Sequence, residues 1–164
     1  MSEHNTHTIE KIGGTSMSDY ESVRNNIVLG GTRKTLFQRV FVVSAYGGIT
    51  NELLEHKTSG QPGIFELFAN GMEDDAWLQK FDDLREQLYA INKDLFGETP
   101  LLKKANKFLD ERLTNAKQCL LDLQSLCQHG HFELESHLET VREMLASIGE
   151  AHSAWNTAEL LRRD

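Results

Sequence analysis

The chain lacks any long apolar run. No stretch of its 164 residues approaches the roughly 18 consecutive apolar residues that a membrane-spanning helix needs. Its first ten residues, MSEHNTHTIE, are polar and acidic, without the apolar segment of a secretory signal. We therefore expect no membrane partner and a cytoplasmic location.

Basic residues are also few. The sequence has 17 Lys and Arg against 25 Asp and Glu, which gives a formal net charge of −8. The densest basic groups are only pairs, Lys103–Lys104 and Arg162–Arg163. Because nucleic-acid binding depends on clustered positive charge that neutralises phosphates, we expect no nucleic-acid partner.

Cysteine occurs only at Cys119 and Cys127. Both fall in one predicted helix, where eight residues span about 12 Å, too far for a disulfide, and we expect two reduced, buried thiols. Cys127 also opens the stretch CQHGH with His129 and His131. Since a zinc site usually has a fourth ligand, the preferred interpretation is a helix end with incidental histidines, and we expect no bound metal.

The first third of the chain alternates strand and helix patterns. Residues 8–12 and 39–45 are short, β-branched stretches bounded by glycine, which predict two strands, the second apolar enough to be buried on both faces. Between them a helix is predicted, with Ser18 and Glu21 as a capping box and a glycine pair at its end. This order predicts a βαβ unit with parallel strands.

From Thr50 onward the apolar residues recur every three or four positions, in runs that end near glycines. The runs comprise Trp77, Phe81, Leu84, Leu88, Ile91 and Leu95; Ala105, Leu109, Leu113, Ala116, Leu120, Leu123 and Cys127; and Leu134, Leu138, Val141, Leu145 and Ile148. This spacing predicts amphipathic helices that pack as an antiparallel bundle.

These patterns together predict an α/β fold. A βαβ start occupies residues 1–57, and a mostly helical bundle segment occupies residues 58–164. Two parallel strands alone leave their edges unpaired and their faces uncovered. We therefore expect that further strands or another chain complete the sheet, and that the protein is a homo-oligomer.

Both predicted strands end in residues that suit anion binding. The first leads into KIGGTSM, Lys11 to Met17, and the second into SAYGGITN, residues 44–51. Glycines let main-chain N–H groups approach phosphate oxygens, and Lys11 adds a full positive charge. Because the carboxyl ends of parallel strands share one edge of a sheet, the sequence predicts a ligand site there, although glycine turns are also common without a ligand.

A third stretch, ASIGEAHSAWN over residues 146–156, places Gly149 inside a predicted helix. A helical glycine costs about 1 kcal/mol relative to alanine, so it indicates a close neighbour, either another backbone or a ligand. The simpler interpretation is a close-packing point, with Glu150 on a solvated face.

In order and separation, KIGGTSM, VVSAYGGITNELL and SIGEAHSA resemble three motifs of the aspartate kinases: the K-F-G-G-T-S-V opening, the V-S-A-x-x-G-x-T-N-x-L loop and the S-x-G-E helix. Residues 58–140 match only in helical character and position. The resemblance implies the N-terminal portion of an amino-acid-kinase-like three-layer sandwich. The KIGGTSM variant is similar to aspartate kinases associated with ectoine synthesis.

The resemblance implies a role for each residue that matches the first motif. Lys11 is the catalytic residue implied, since it neutralises charge on the transferring γ-phosphoryl group, and it binds ATP together with Gly13 and Gly14. Thr15 and Ser16 match the same nucleotide loop. The cofactor implied is ATP with Mg²⁺, which is carried in with the nucleotide rather than held in a protein cage.

The other two motifs supply the residues implied for the substrate, Ser44, Thr50 and Glu150. Glu150 is suited to pair with the ammonium group of L-aspartate. The reaction implied is ATP + L-aspartate → ADP + 4-phospho-L-aspartate, in which catalysis is mostly positioning and electrostatic stabilisation. L-Aspartate and ATP are therefore the partners expected of the complete enzyme.

The chain also departs from the family pattern. Ile12, Met17 and Ile148 stand where phenylalanine, valine and histidine are more usual, which affects subfamily placement more than chemistry. The G-R-G-G-S-D-type loop, the adenine-holding segment and the ACT domains of most members have no counterpart in this sequence. The resemblance therefore implies a partial catalytic domain with negligible kinase activity alone.

Two other interpretations stay open. The chain could come from another amino-acid kinase with a different carboxylate substrate, although the Thr15–Ser16 pair and Glu150 favour the aspartate branch. It could instead be a non-catalytic helical interaction module, whose apolar seams provide an association surface.

Overall fold

The computed structural model describes residues 7–30, 37–56, 59–71, 75–128 and 132–163. Two strands near the start are followed by a long helical region. The elements are β1 (Thr8–Ile12), α1 (Gly14–Met17), α2 (Tyr20–Ser22), β2 (Arg39–Val43), α3 (Ile49–Leu53), α4 (Ile64–Asn70), α5 (Ala76–Phe96), α6 (Pro100–Gln128) and α7 (Leu138–Arg163). A π-helical stretch, Val23–Val28, continues α2, and a 3-10 turn, Leu134–His137, precedes α7.

β1 and β2 form a parallel two-stranded sheet, which confirms the predicted parallel pairing. In its register Ile9 pairs with Val40 and Lys11 with Val42. Because side chains alternate along a strand, these four lie on one face, where Ile9 is 75% exposed, Val40 49% and Val42 47%. The expectation that the second strand is buried on both faces is therefore wrong, since the described helices leave this face uncovered.

The helix after β1 begins at a different cap from the one predicted. The Asp19 carboxylate accepts hydrogen bonds from the N–H of Ser22 at 3.0 Å and from its hydroxyl at 2.7 Å. The capping box predicted from Ser18 and Glu21 is therefore wrong. Asp and Ser are comparable N-caps, and here the Ser18 hydroxyl accepts instead from the N–H of Gly47, at 3.0 Å.

Arg39, at the start of β2, fastens the end of this helix to the sheet. Its guanidinium donates to the Glu10 carboxylate at 2.5 and 2.6 Å and to the carbonyls of Ile27 and Val28 at 2.7 and 2.8 Å. The hydrogen bond from Arg39 also lowers the pKa of Glu10. A side chain from the sheet thus satisfies carbonyls that a helix end leaves without an intrahelical partner.

The three long helices pack in chain order, α5 against α6 and α6 against α7. The buried residues of α6 all belong to the predicted run. Those of α5 follow the prediction as far as Leu88, after which Asn92 and Phe96 are buried and the predicted Ile91 and Leu95 are only half-buried. α5 ends where Gly97 adopts a φ of +56°. Trp77 is fully buried, with its ring edge-on to Phe68 and Phe81. Since α7 also contacts β2 and α3, the sheet and the bundle share one core.

Both cysteines lie on α6 and are free thiols, as their separation predicts. Cys119 is exposed and Cys127 is half-buried, so the expectation of two buried thiols is wrong. The buried seam of α6 includes Ala116 and Leu120, and Cys119 falls outside it. Among the described helices, none is long and apolar enough to cross a membrane.

Candidate functional site

The loops that follow β1 and β2 lie against each other. A Cβ atom at Gly14 would lie only 2.7 Å from the carbonyl oxygen of Ala45, so a larger residue there would push the two backbones apart. Ser18 ties the same loops together, because its hydroxyl accepts from the Gly47 N–H at 3.0 Å and donates to the Gly14 carbonyl at 3.4 Å. The prediction that the two strand ends meet is confirmed.

The helix that carries the third motif joins these loops. A Cβ atom at Gly149 would lie 2.7 Å from the Cβ of Ala45 and 3.3 Å from Cγ2 of Ile49. One turn further along α7, the Ser153 hydroxyl donates to the main-chain carbonyl of Ser44 at 2.7 Å. Gly149 is therefore the close-packing point that the sequence predicts, and its neighbour is the segment after β2.

The side chains predicted to bind ligands are mostly accessible. Lys11, Gly13, Thr15, Ser16 and Glu150 are exposed, while Gly14, Ser44 and Thr50 are half-buried. Within the described ranges no hydrogen bond or ion pair engages the Lys11 ammonium, the Glu150 carboxylate or the hydroxyls of the predicted site residues. These groups are therefore open to a ligand.

The structure brings some of these residues together and not others. Thr50 and Glu150 are the immediate chain neighbours of Ile49 and Gly149, which pack against each other. Lys11, in contrast, lies on the uncovered face of the sheet, whereas the adjacent Ile12 is buried in the core. Among the described residues its ammonium makes no ion pair with the Glu150 carboxylate and no hydrogen bond with the Ser44 or Thr50 hydroxyl.

Gly13 has a different environment from Gly14. Its backbone has φ −75° and ψ 160°, a conformation that any residue can adopt. A Cβ at this position would also meet no described protein atom within 4 Å. Neither conformation nor packing within the described residues therefore requires glycine here, and the space beside its backbone is open.

A largely buried group of polar side chains, which the sequence analysis missed, adjoins the loop after β2. We refer to it as the buried polar cluster: Tyr46, Asn92, Asn106, His152 and Asn156. The Asn92 side-chain oxygen lies 2.6 Å from His152 Nε2 and 2.8 Å from the Asn156 amide nitrogen. Asn92 in turn donates to Asn106 at 2.9 Å. The cluster thus connects α5, α6 and α7.

His152 in this cluster is a neutral imidazole. Burial lowers its pKa from 6.5 to about 4, and its ring packs edge-on against Tyr46 with centroids 5.4 Å apart. Burial also raises the pKa of Tyr46 to about 12, against a smaller opposing effect of its hydrogen bond with Asn156. His152 Nε2 lies 2.6 Å from Asn92 Oδ1 and 3.1 Å from the Asn156 amide nitrogen. With the proton on Nε2, the ring donates to Asn92, and the Asn156 amide then donates to Asn92 rather than to the ring. Nδ1 is buried and has no hydrogen-bond partner among the described residues.

The sequence does contain a signal for this cluster. Asn92 lies next to Ile91 of the predicted apolar run, four residues after Leu88 and four before Phe96, which is also a helical spacing. His152 and Asn156 continue the α7 seam at helical spacing after Leu145. Polar residues at seam positions imply buried partners, although only the fold shows which partners they are.

The predicted absence of a metal site can be checked only in part. Cys127 is described, whereas His129 and His131 lie outside the described residues. Within the described ranges, no group of three or more His, Cys, Asp and Glu side chains is placed to hold a metal ion.

A comparison with curated proteins finds a match to aspartate kinase Ask_Ect of Stutzerimonas stutzeri (strain A1501). The two sequences are 49% identical over 158 residues, which is 96% of this chain, and the chain spans 33% of the length of that relative. No family model matches the chain, and no solved structure gives a significant match. The similarity confirms the resemblance to aspartate kinases that the three motifs predict.

Proposed function

We propose that the chain is the N-terminal part of an aspartate kinase catalytic domain, with the βαβ start over residues 1–57 and the helical segment over 58–164. In the complete enzyme it takes part in transferring the γ-phosphoryl group of ATP to the side-chain carboxylate of L-aspartate, which yields ADP and 4-phospho-L-aspartate. The observation that carries this proposal is the 49% identity, over 158 residues, to an aspartate kinase of which the chain spans 33%.

The loop after β1 has features that suit the phosphates of ATP. The open space beside Gly13 is what a ligand approaching the backbone needs. The first amides of α1, at Gly14 and Thr15, have no intrahelical acceptor. We propose that these amides and the Lys11 ammonium bind the phosphates, with the Thr15 and Ser16 hydroxyls as further donors. Mg²⁺ that enters with ATP neutralises phosphate charge when bound.

Lys11 is the proposed catalytic residue. Charge builds up on the transferring phosphoryl group and the leaving oxygen, so a cation held beside them lowers the barrier. Lys11 sits at the end of β1, paired in register with Val42, so its Cα has a fixed position while its long side chain can extend to the phosphate.

L-Aspartate is the proposed phosphoryl acceptor. The exposed Glu150 carboxylate is suited to the substrate ammonium, and the Thr50 and Ser44 hydroxyls are suited to its carboxylates. The close contact of Gly149 with Ala45 and Ile49 holds together the elements that carry these groups. A fixed spacing of the binding groups is what phosphoryl transfer by positioning requires.

The uncovered sheet face supports the proposal that the fold is partial. Ile9, Val40 and Val42 expose apolar surface there, which a three-layer sandwich would cover with its second helical layer. We propose that the complete enzyme supplies that layer and more strands, and that it is a cytoplasmic homo-oligomer serving ectoine synthesis. The helical seams are largely buried within the chain, so the alternative of a helical interaction module has little support.

A chimera tests the proposed function. This chain replaces the matching 158-residue segment of the Stutzerimonas enzyme, and aspartate-dependent ADP release is measured, with the acyl phosphate trapped by hydroxylamine. We expect an active chimera, and Lys11→Ala and Glu150→Gln should each lower kcat/KM by about 100-fold or more. Lys107→Ala, at an exposed lysine of α6, is the matched control and should leave activity unchanged.

Three results would contradict the proposal. They are a folded chimera without aspartate-dependent turnover, a preference for glutamate derivatives over aspartate, and full activity in the Lys11→Ala chimera. The isolated chain is expected to show negligible turnover in the same assay, so aspartate-dependent activity there would overturn the proposal that it is incomplete.

A further inference from the structure

Three consecutive residues of the loop after β2 contact one face of α7. The pairs are Ser44 with Ser153, Ala45 with Gly149, and Tyr46 with His152. On α7, His152 and Ser153 lie three and four residues after Gly149, so both border the same helical face as Gly149. Glu150 is carried by the same turn of the helix, and its position therefore depends on how this face sits against the loop.

The buried polar cluster fixes the same helical face from the other side. His152 and Asn156 lie one turn apart on α7, and both bind the side-chain oxygen of Asn92 on α5. Asn92 is fully buried and also donates to Asn106 on α6. A rotation of α7 about its axis, or a slide along it, would break these hydrogen bonds at once.

Packing alone does not account for this arrangement. Hydrogen bonds inside a core contribute little net stability, and a buried polar atom without a partner is costly. Here His152 Nδ1 and Asn156 Oδ1 are both buried, and neither finds a hydrogen-bond partner in the part of the chain that the structure describes. Directional bonds do, however, specify a single register between packed helices, which apolar side chains specify less strictly.

We propose that His152 is a positioning residue of the candidate site: bonded to Asn92 and packed on Tyr46, it fixes the Glu150 turn of α7 relative to the loop that carries Ser44. This inference rests on the proposed function for its meaning, since it concerns the groups proposed to bind L-aspartate. It assigns His152 no contact with the substrate.

Amide hydrogen exchange of the 164-residue chain tests the inference without any ligand. His152→Leu removes the directional bonds but keeps an apolar side chain, whereas His152→Gln keeps an amide donor for Asn92. Leu160→Ala is the matched control, because Leu160 is buried on α7 in the separate apolar cluster with Phe96 and Ala105. Each profile is compared after correction for the measured free energy of unfolding.

We expect His152→Leu to raise exchange of the amides at 44–50 and 149–153 by about 10-fold over Leu160→Ala, and His152→Gln to restore most of the protection. Should His152→Leu fail to fold, Asn106→Ala, which removes the half-buried outer amide of the cluster, should raise exchange at the same amides to a smaller extent. A uniform rise like that of Leu160→Ala, or no rescue by His152→Gln, would overturn the inference.

The two proposals fail separately. The exchange experiment uses no substrate, so its failure leaves the activity of the chimera untouched. An inactive chimera with local exchange effects at 44–50 would instead contradict the aspartate kinase assignment and leave the positioning role of His152 intact.

Discussion

The Ser153 hydroxyl donates a hydrogen bond of 2.7 Å to the carbonyl of Ser44, a residue 109 positions earlier in the chain. Ser153 is fully buried, and the bond joins the middle of α7 to the residue that directly follows β2. It links the second and third sequence motifs directly, so its removal should affect the packing of both segments.

Ser153→Ala should destabilise the chain. The substitution deletes the donor and leaves the Ser44 carbonyl without this partner in a part-buried site, which costs about 1–2 kcal/mol. Urea unfolding followed by circular dichroism measures the change. Ser147→Ala is the control, since Ser147 is exposed and its hydroxyl bonds to the Met144 carbonyl within the same helix. Equal effects of the two substitutions would contradict the proposed importance of the long-range bond.

Gly149→Ala should also destabilise the chain, although alanine is the better helix former by about 1 kcal/mol. The added Cβ would lie 2.7 Å from the Cβ of Ala45, and such overpacking costs about 1–3 kcal/mol. Shortening the opposing residue in the double variant Gly149→Ala, Ala45→Gly should recover part of the loss. A more stable Gly149→Ala single variant would show that α7 is not tightly seated on the loop.

Arg39→Ala should weaken the βαβ unit. It leaves the Glu10 carboxylate and the carbonyls of Ile27 and Val28 without the guanidinium that now bonds them. The loss of the two carbonyl hydrogen bonds alone should lower the free energy of unfolding by about 1–2 kcal/mol. Arg39→Lys should recover only a minor part of that loss, because an ammonium cannot form the several simultaneous hydrogen bonds of the planar guanidinium. Full recovery with lysine would indicate that charge alone, rather than fork geometry, matters at this position.

The stability of the chain should depend on His152 below neutral pH. Its pKa lies near 6.5 when unfolded and at about 4 when folded, so the unfolded state binds the proton first as the pH falls. The contribution is complete above pH 6.5 and is lost between pH 6.5 and 4, by on the order of 3 kcal/mol.

Unfolding free energies of the original chain and of His152→Gln, measured across this window, check the expectation. The variant should show the shallower loss at low pH, because glutamine does not titrate and the other groups are common to both. Parallel curves would mean that His152 is not neutral and buried in the folded state.

The regular elements were predictable because their signals are local. Short β-branched stretches bounded by glycine marked β1 and β2, and three- and four-residue spacing marked the helices, with Gly97 ending α5. The meeting of the two strand ends followed from parallel pairing alone. Gly149 could be recognised as a packing point, since a helical glycine needs a reason.

The wrong or missing predictions concern side chains that have several possible partners, among which only the tertiary fold decides. Asp19 and Ser18 are both good caps, and only the proximity of Gly47 decides that Ser18 bonds elsewhere. The apolar character of β2 does not reveal that the described helices leave one face of the sheet uncovered. The buried polar cluster likewise depends on tertiary contacts between α5 and α7, so Asn92 alone could not identify His152.

The uncovered face of the sheet should make the isolated chain prone to aggregation in solution. Apolar side chains beside strand edges that no described residue pairs form a template onto which other strands can add. The net charge of −8 opposes such contacts by mutual repulsion, and dissolved ions screen that repulsion. Light scattering should therefore show aggregation that increases with ionic strength and with protein concentration. Val42→Lys places a charge on the uncovered face and should reduce this aggregation.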